Sequence, residues 1–274
     1  MNDQNSENRY LNRLSILLAT LATFFITLYL MPDETVKPGS SILGFTLRIS
    51  PLSLVPLMLM LLCAGGSFWL FATHPDRDKF KSTPWSLTPH VVLPSLATMI
   101  TSTMLTQLGK NLAWWAALSF GLIIIGIILI AEYHVLTPGD ESYRVVAPVL
   151  ISLAFGLFLA FTISLATSQL RLYTLIALIL IAAGFVSFRT VHLRTMGTGG
   201  IAKVFFCGLL CTEMAASFHY LFLKPVQYGL LISGGLYVLT SLVVIEGPMT
   251  FRKWIEPLVM TALLAILLVA VSLS

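Results

Sequence analysis

Long, uninterrupted apolar runs constrain the fold of this sequence more than any other feature. A helix needs about 20 apolar residues to cross the roughly 30 Å hydrocarbon core of a bilayer. Nine segments of the chain approach or exceed that length, and their continuous character favours helices over the alternating strands of a membrane barrel. The predicted spans are 14–31, 51–73, 90–108, 112–131, 145–167, 171–188, 201–223, 227–246 and 256–273.

These runs predict an all-α, polytopic integral membrane protein with about nine transmembrane helices, within a range of 8 to 10. We expect a single transmembrane domain over 1–274, which begins with a short polar cytoplasmic leader at 1–13. Composition agrees, because apolar side chains make up 57% of the chain and charged ones only 10%. A soluble globular domain carries about 25% charged residues, so soluble and disordered classes are excluded.

The distribution of lysine and arginine predicts the orientation of the helices. If the N-terminus is cytoplasmic, eleven of the sixteen basic residues lie on the cytoplasmic side and five on the other. Since cytoplasmic loops are enriched in these residues, the chain is predicted to be N-in and C-out. The net charge of +4 accompanies no nucleic-acid motif, and nucleic acid is therefore not a predicted partner. Short loops favour a bacterial cytoplasmic (inner) membrane.

Polar side chains inside the spans are the candidate functional residues, because they are costly to bury in hydrocarbon. Glu213 is the acid at the middle of a predicted span, and small residues beside it predict close helix packing and an interior position for helix seven. The candidate polar site comprises Glu213, Ser217 and Tyr220 of helix seven, Ser102 and Thr106 of helix three, and Tyr237 and Thr240 of helix eight. The candidate packing stripe comprises Gly208, Thr212 and Ala216. The alternative is that the hydroxyls only bond their own helices and hold neighbouring helices together.

Histidine and glutamate side chains collect at the predicted cytoplasmic boundary. A metal site there would use His90, His134, His192 and Glu132, but these residues have no metal-binding motif or ligand spacing. The sequence therefore predicts no metal and no catalytic residue. Bound lipid is expected, whereas a tetrapyrrole or other pigment lacks a supporting mid-span histidine motif.

Several functions stay open at this level. The first is a non-catalytic subunit or scaffold of a larger membrane complex, which contacts other membrane subunits, lipids or pigments through its helices. The second is a small transporter with Glu213 as the proton- or cation-coupling site. The third is an intramembrane enzyme that acts on a lipid-linked substrate. The low intramembrane charge and the short loops favour the first.

Overall fold

The fold consists of helices joined by short connections. The computed structural model describes residues 2–30, 41–42, 45–46, 51–72, 87–136, 141–168, 171–195, 200–245 and 251–273. In this part of the chain the helices are α1 (Asn2–Leu30), α2 (Pro51–Phe71), α3 (Thr88–Gln107), α4 (Leu112–Val135), α5 (Glu141–Thr167), α6 (Leu172–Arg194), α7 (Ile201–His219), α8 (Pro225–Val244) and α9 (Phe251–Leu273). Two strands of two residues each, β1 (Ser41–Ile42) and β2 (Phe45–Thr46), pair antiparallel between α1 and α2. The predicted all-α class is confirmed, and this small strand pair is an addition to it.

Seven of the helices in the described residues are long and apolar enough to cross a membrane. They are Arg9–Leu30, Leu112–Val135, Tyr143–Thr167, Leu172–Arg194, Ile201–His219, Pro225–Val244 and Trp254–Ser272. The chain is therefore an integral membrane protein. Nine spans and the N-in orientation stay predictions. The segments 31–40 and 73–86, which carry four of the sixteen basic residues, lie outside the described residues.

Helix α3 differs from the other predicted spans because protein surrounds it on most sides. Fourteen of its twenty residues are buried. Two of its buried hydroxyl groups bond carbonyl oxygens one turn earlier in the same helix, with Ser95 Oγ 2.7 Å from the Val91 oxygen and Thr98 Oγ1 2.9 Å from the Pro94 oxygen. A helix that is shielded by protein need not match the apolarity of lipid, which explains the low hydropathy of α3.

The chain divides into two compact units, Met1–Tyr133 and His134–Ser274, here called the N-terminal and C-terminal units. The sequence analysis predicts one transmembrane domain and does not anticipate this division. In the N-terminal unit, Arg13 of α1 donates a hydrogen bond of 2.7 Å to the carbonyl oxygen of Trp69 in α2. The Arg13 guanidinium also lies 4.5 Å from the centroid of the Trp69 ring, a cation–π contact.

In the C-terminal unit, α6 and α7 approach each other closely through glycine. A Cβ atom placed on Gly208 would lie 3.5 Å from the Cα atom of Gly184. Thr212 is buried one turn later and bonds the Gly208 oxygen at 2.7 Å, whereas Ala216 is only partly buried. The predicted packing stripe therefore approaches α6 at Gly208, its first member. Such small-residue contacts allow helix backbones to come together in membranes.

The size of the side chain at position 208 should determine the stability of the contact between α6 and α7. We expect Gly208→Ala to be neutral or stabilising, because its Cβ meets only ordinary van der Waals contacts and alanine favours helix. Gly208→Leu should destabilise the protein by about 1–3 kcal/mol, since overpacking forces α6 and α7 apart. Thermal unfolding in detergent measures both. Gly65→Leu is the matched control, because Gly65 is exposed on α2 with nothing within 4 Å of its Cβ position; equal effects at the two sites would contradict the prediction.

The side of the membrane on which the connection between α2 and α3 lies should indicate the number of transmembrane spans. If α2 and α3 both cross the bilayer, a cysteine substituted for Lys79 lies on the same side as the N-terminus. If neither crosses, it lies on the opposite side. Labelling intact cells with a membrane-impermeant maleimide distinguishes the two, with a cysteine substituted for Ser6 as the reference. We expect the two positions to behave alike, and opposite labelling would reduce the count to seven.

Candidate functional site

Polar side chains from three helices meet at one end of the C-terminal unit. Helix α6 ends at Arg194, α8 carries Tyr237 and Ser241 in its last two turns, and α9 carries Glu256 near its start. Tyr237 and Ser241 are four residues apart, so the helical repeat places them on the same face of α8. We call Arg194, Tyr237, Ser241 and Glu256 the polar cluster.

Hydrogen bonds and one ion pair hold the polar cluster together. Arg194 Nη2 lies 2.9 Å from Glu256 Oε1, and Arg194 Nη1 donates to Ser241 Oγ at 2.9 Å. The Tyr237 hydroxyl donates to the same Glu256 oxygen at 2.7 Å, and Ser241 Oγ lies 3.4 Å from it. The Arg194 guanidinium also lies 5.0 Å from the centroid of the Tyr237 ring. The cluster therefore combines one positive and one negative charge in a fixed arrangement.

The two charged members differ in exposure. The Arg194 side chain is 14% exposed, whereas that of Glu256 is 54% exposed. Glu256 thus lies at the opening of the site and Arg194 lies deeper. Because the guanidinium has five N–H donors, the contacts to Ser241 and Glu256 leave donors for a further group.

The polar cluster lies in a cleft of about 710 Å³, here called the polar cleft. Its other walls come from the first turns of α5 and from the adjoining ends of α8 and α9. These walls consist of Pro148, Ile151, Ser152, Val244, Ile245 and Pro257. The two prolines have no N–H group, so the carbonyl oxygens four residues before them cannot receive the regular helical hydrogen bond.

An apolar groove of about 200 Å³ adjoins the polar cleft, and Tyr237 lines both. Its walls are Phe155, Gly156, Leu159, Leu230, Ser233, Gly234, Met260, Leu263, Leu264 and Leu267. Ser233 adds little polarity, because its hydroxyl is bonded to the Gly229 oxygen at 2.6 Å. A Cβ atom placed on Gly156 would meet nothing within 4 Å, so the groove is open at that wall. The whole site is therefore polar at one end and apolar along its length.

Helix α7 presents its predicted polar residues outwards. Glu213, Ser217 and Tyr220 are exposed, and Ser217 Oγ bonds the backbone oxygen of Glu213 at 2.9 Å. The buried face of α7 is formed by Val204, Cys207, Gly208, Cys211, Thr212 and Ala215. The polar side of α7 is therefore exposed in this unit, and the interior position of helix seven stays a prediction. The small and apolar face packs better against α6, which leaves the carboxyl side outside.

The remaining candidate residues lie in separate places. Tyr237 belongs to the polar cluster, and Thr240 is buried with its hydroxyl 2.9 Å from the Tyr237 carbonyl oxygen. Ser102 and Thr106 belong to α3 in the N-terminal unit, where Thr106 bonds the Thr103 oxygen at 2.8 Å. Ser102 Oγ is buried and has no hydrogen-bond partner among the described residues. Thus Tyr237 is the one member of this set that the described residues join to charged side chains.

His90, His134, His192 and Glu132, the residues predicted at the cytoplasmic boundary, are here called the boundary set. Two of them form a buried pair in the N-terminal unit. His90 Nδ1 of α3 lies 3.0 Å from Glu132 Oε2 of α4, and the Glu132 side chain is fully buried. His134 lies two residues further along α4, about 200° around the helix, and is exposed. His192 belongs to α6 in the C-terminal unit, where its ring lies 6.4 Å from that of Phe188. The described residues contain no group of three or more histidine, cysteine or acidic side chains that could hold a metal.

Removing one partner of this buried pair should be costly. We expect His90→Ala to destabilise the protein by about 3–5 kcal/mol, because it takes a partner from a buried carboxyl group. Glu132→Gln should cost less, since the amide can still form a hydrogen bond with the imidazole. Thermal unfolding in detergent compares both variants with His134→Ala, the exposed control on α4. If His90→Ala is no more harmful than that control, the pair does not contribute to stability.

Comparison with known proteins adds a family to this description. The family model described as "Protein of unknown function (DUF5656)" matches residues 35–271, which includes α2 to α8 and nearly all of α9. No curated protein and no solved structure matches the chain. Since the family model covers most of its length, the chain belongs to the DUF5656 family.

Proposed function

We propose that this protein is a non-catalytic subunit of a larger membrane complex, and that another membrane protein docks on the outer face of α7. The observation that carries the proposal is the exposed position of Glu213 on a membrane-spanning helix. Bound lipid and a partner subunit are the expected contacts of such a protein.

The depth of Glu213 makes its exposure costly in lipid. It is the thirteenth of nineteen residues in α7. At 1.5 Å per residue it lies about 18 Å from the start of the helix and about 9 Å from its end. An acidic side chain facing hydrocarbon at this depth costs on the order of 2.5–3.5 kcal/mol. Hydrogen-bond donors from a neighbouring protein helix offset this cost, whereas lipid tails offer none.

The residues around Glu213 fit a docking face. Phe206, Leu209 and Ser217 lie within about 40° of Glu213 around the helix axis, and all three are exposed. Phe206 is 52% and Leu209 is 40% exposed. A polar group framed by large apolar side chains suits an interface, in which the apolar contacts exclude lipid and the polar contact sets the register.

Transport coupled to Glu213 has less support. A proton- or cation-coupling carboxyl needs walls that lead water to it. On the outer face of α7, a partner protein would have to supply those walls. The enzyme hypothesis has no residue among the polar cluster or the buried His90–Glu132 pair whose geometry favours it over a binding or structural role.

Site-specific crosslinking tests the proposal. A photo-crosslinking amino acid at position 209 should form a discrete adduct with another protein in native membranes, because Leu209 lies one turn from Glu213. Glu213→Leu should lower the yield, since it removes the polar contact. A loss of 1.4 kcal/mol reduces affinity tenfold, so a decrease of roughly tenfold or more is expected. Glu213→Gln should retain more of the yield.

The matched control is the same crosslinker at position 266, which is 69% exposed on α9. It should form no adduct that depends on Glu213. Adducts with lipid alone, or with the same polypeptide chain, from position 209 would contradict the proposal. Equal yields from Glu213→Leu and the unaltered residue would also contradict it.

A further inference from the structure

We propose that the polar cleft and the apolar groove together bind one phospholipid with a zwitterionic phosphoethanolamine headgroup. The headgroup lies at the polar cluster and one acyl chain lies along the groove. The proposal depends on features of the C-terminal unit alone, and not on the docking face of α7.

The charges of the polar cluster select the headgroup. Arg194 and Glu256 present a cation and an anion side by side, which matches a phosphate and an ammonium carried by one molecule. The three contacts that the described residues make to Glu256 all reach Oε1, so Oε2 remains for an ammonium donor. The further donors of the Arg194 guanidinium suit the phosphate oxygens.

The same arrangement disfavours other common headgroups. A purely anionic headgroup gains from Arg194 but meets the negative charge of Glu256, which costs free energy in a partly desolvated site. A choline headgroup balances the charge but has no N–H donor for the Glu256 carboxylate. Phosphoethanolamine supplies both the charge and the donors.

The combined length of the polar cleft and the groove suits a phospholipid. From Glu256 in the polar cluster to Leu267 at the far end of the groove, helix α9 advances eleven residues, which is about 16 Å at 1.5 Å per residue. One leaflet contributes about half of the 30 Å hydrocarbon core. The polar cluster and the groove together therefore extend over about the depth of one leaflet. An entering helix has a diameter of about 10–12 Å, which a groove of about 200 Å³ does not accommodate.

The groove can be closed without removing any of its contacts. Gly156 forms part of its wall, and nothing lies within 4 Å of its Cβ position. We therefore expect Gly156→Leu to narrow the groove and compete with the acyl chain, while leaving the polar cluster intact. Gly65→Leu on α2 is the matched control, because it is the same change at an exposed helical glycine with open space.

Native mass spectrometry of the full-length, delipidated protein tests the proposal. Phosphatidylethanolamine, phosphatidylglycerol and phosphatidylcholine with identical acyl chains are titrated separately, together with glycerophosphoethanolamine, which has the headgroup but no acyl chains. We expect one phosphatidylethanolamine to be retained with at least roughly tenfold higher affinity than the other two lipids, the effect of losing one good charged contact. Glycerophosphoethanolamine alone should bind far more weakly.

The variants separate the two parts of the site. Glu256→Gln should abolish the preference for phosphatidylethanolamine over phosphatidylglycerol, and Gly156→Leu should weaken all lipid binding at this site by roughly tenfold or more. Gly65→Leu should leave binding unchanged. Equal binding of the three lipids, tighter binding of phosphatidylglycerol, or normal binding by Gly156→Leu would each overturn the proposal. Because Gly156→Leu leaves every polar contact in place, the test does not depend on variants of Arg194 that fail to fold.

Discussion

Hydrocarbon offers no hydrogen bonds, and this constraint explains the surroundings of many polar side chains in the described helices. Many hydroxyl groups solve the problem within their own helix. Ser95, Thr212 and Ser233 each bond the carbonyl oxygen one turn earlier, at 2.7, 2.7 and 2.6 Å. Such residues occupy apolar surroundings at little cost and need no ligand to explain them. Polar groups that cannot be satisfied in this way are therefore the informative ones.

Three acidic residues illustrate the other solutions. Glu132 is fully buried and lies 3.0 Å from His90, so a second helix supplies its partner. Glu256 is half exposed at the end of its unit, where it forms an ion pair with Arg194 and hydrogen bonds with Tyr237 and Ser241. Glu213 is exposed on a helix that is long and apolar enough to span the membrane, and no side-chain partner holds its carboxyl group among the described residues of the C-terminal unit. The same residue type thus leads to a structural, a binding and a docking interpretation, according to its surroundings.

The sequence predicts the approximate positions of the helices because long apolar runs determine them, and the number of helices that cross the membrane stays a prediction. It does not predict which face of a helix is buried, because that depends on which neighbour packs better. Helix α7 shows this clearly, since its carboxyl side is exposed and its small-residue side is buried, with Gly208 close to Gly184 of α6. The boundary set contains both His90 and Glu132. Their direct contact depends on how α3 and α4 are rotated about their axes, and the two residues lie 42 positions apart in the sequence.

The polar cluster was harder to predict for the same reason. Tyr237 and Ser241 share a helical face, which a sequence pattern reveals, but Arg194 and Glu256 come from helices before and after α8. Each charge lies near a helix end, where solvated lysine, arginine and glutamate are common and carry little information. Only the fold brings opposite charges together beside a groove with apolar walls.

That combination, rather than any one residue, indicates an amphiphilic ligand. The ion pair alone is compatible with a structural role, and the groove alone is compatible with imperfect packing. Because Tyr237 lines both and donates to Glu256, the polar and apolar parts adjoin at this side chain, and one amphiphilic molecule could occupy both.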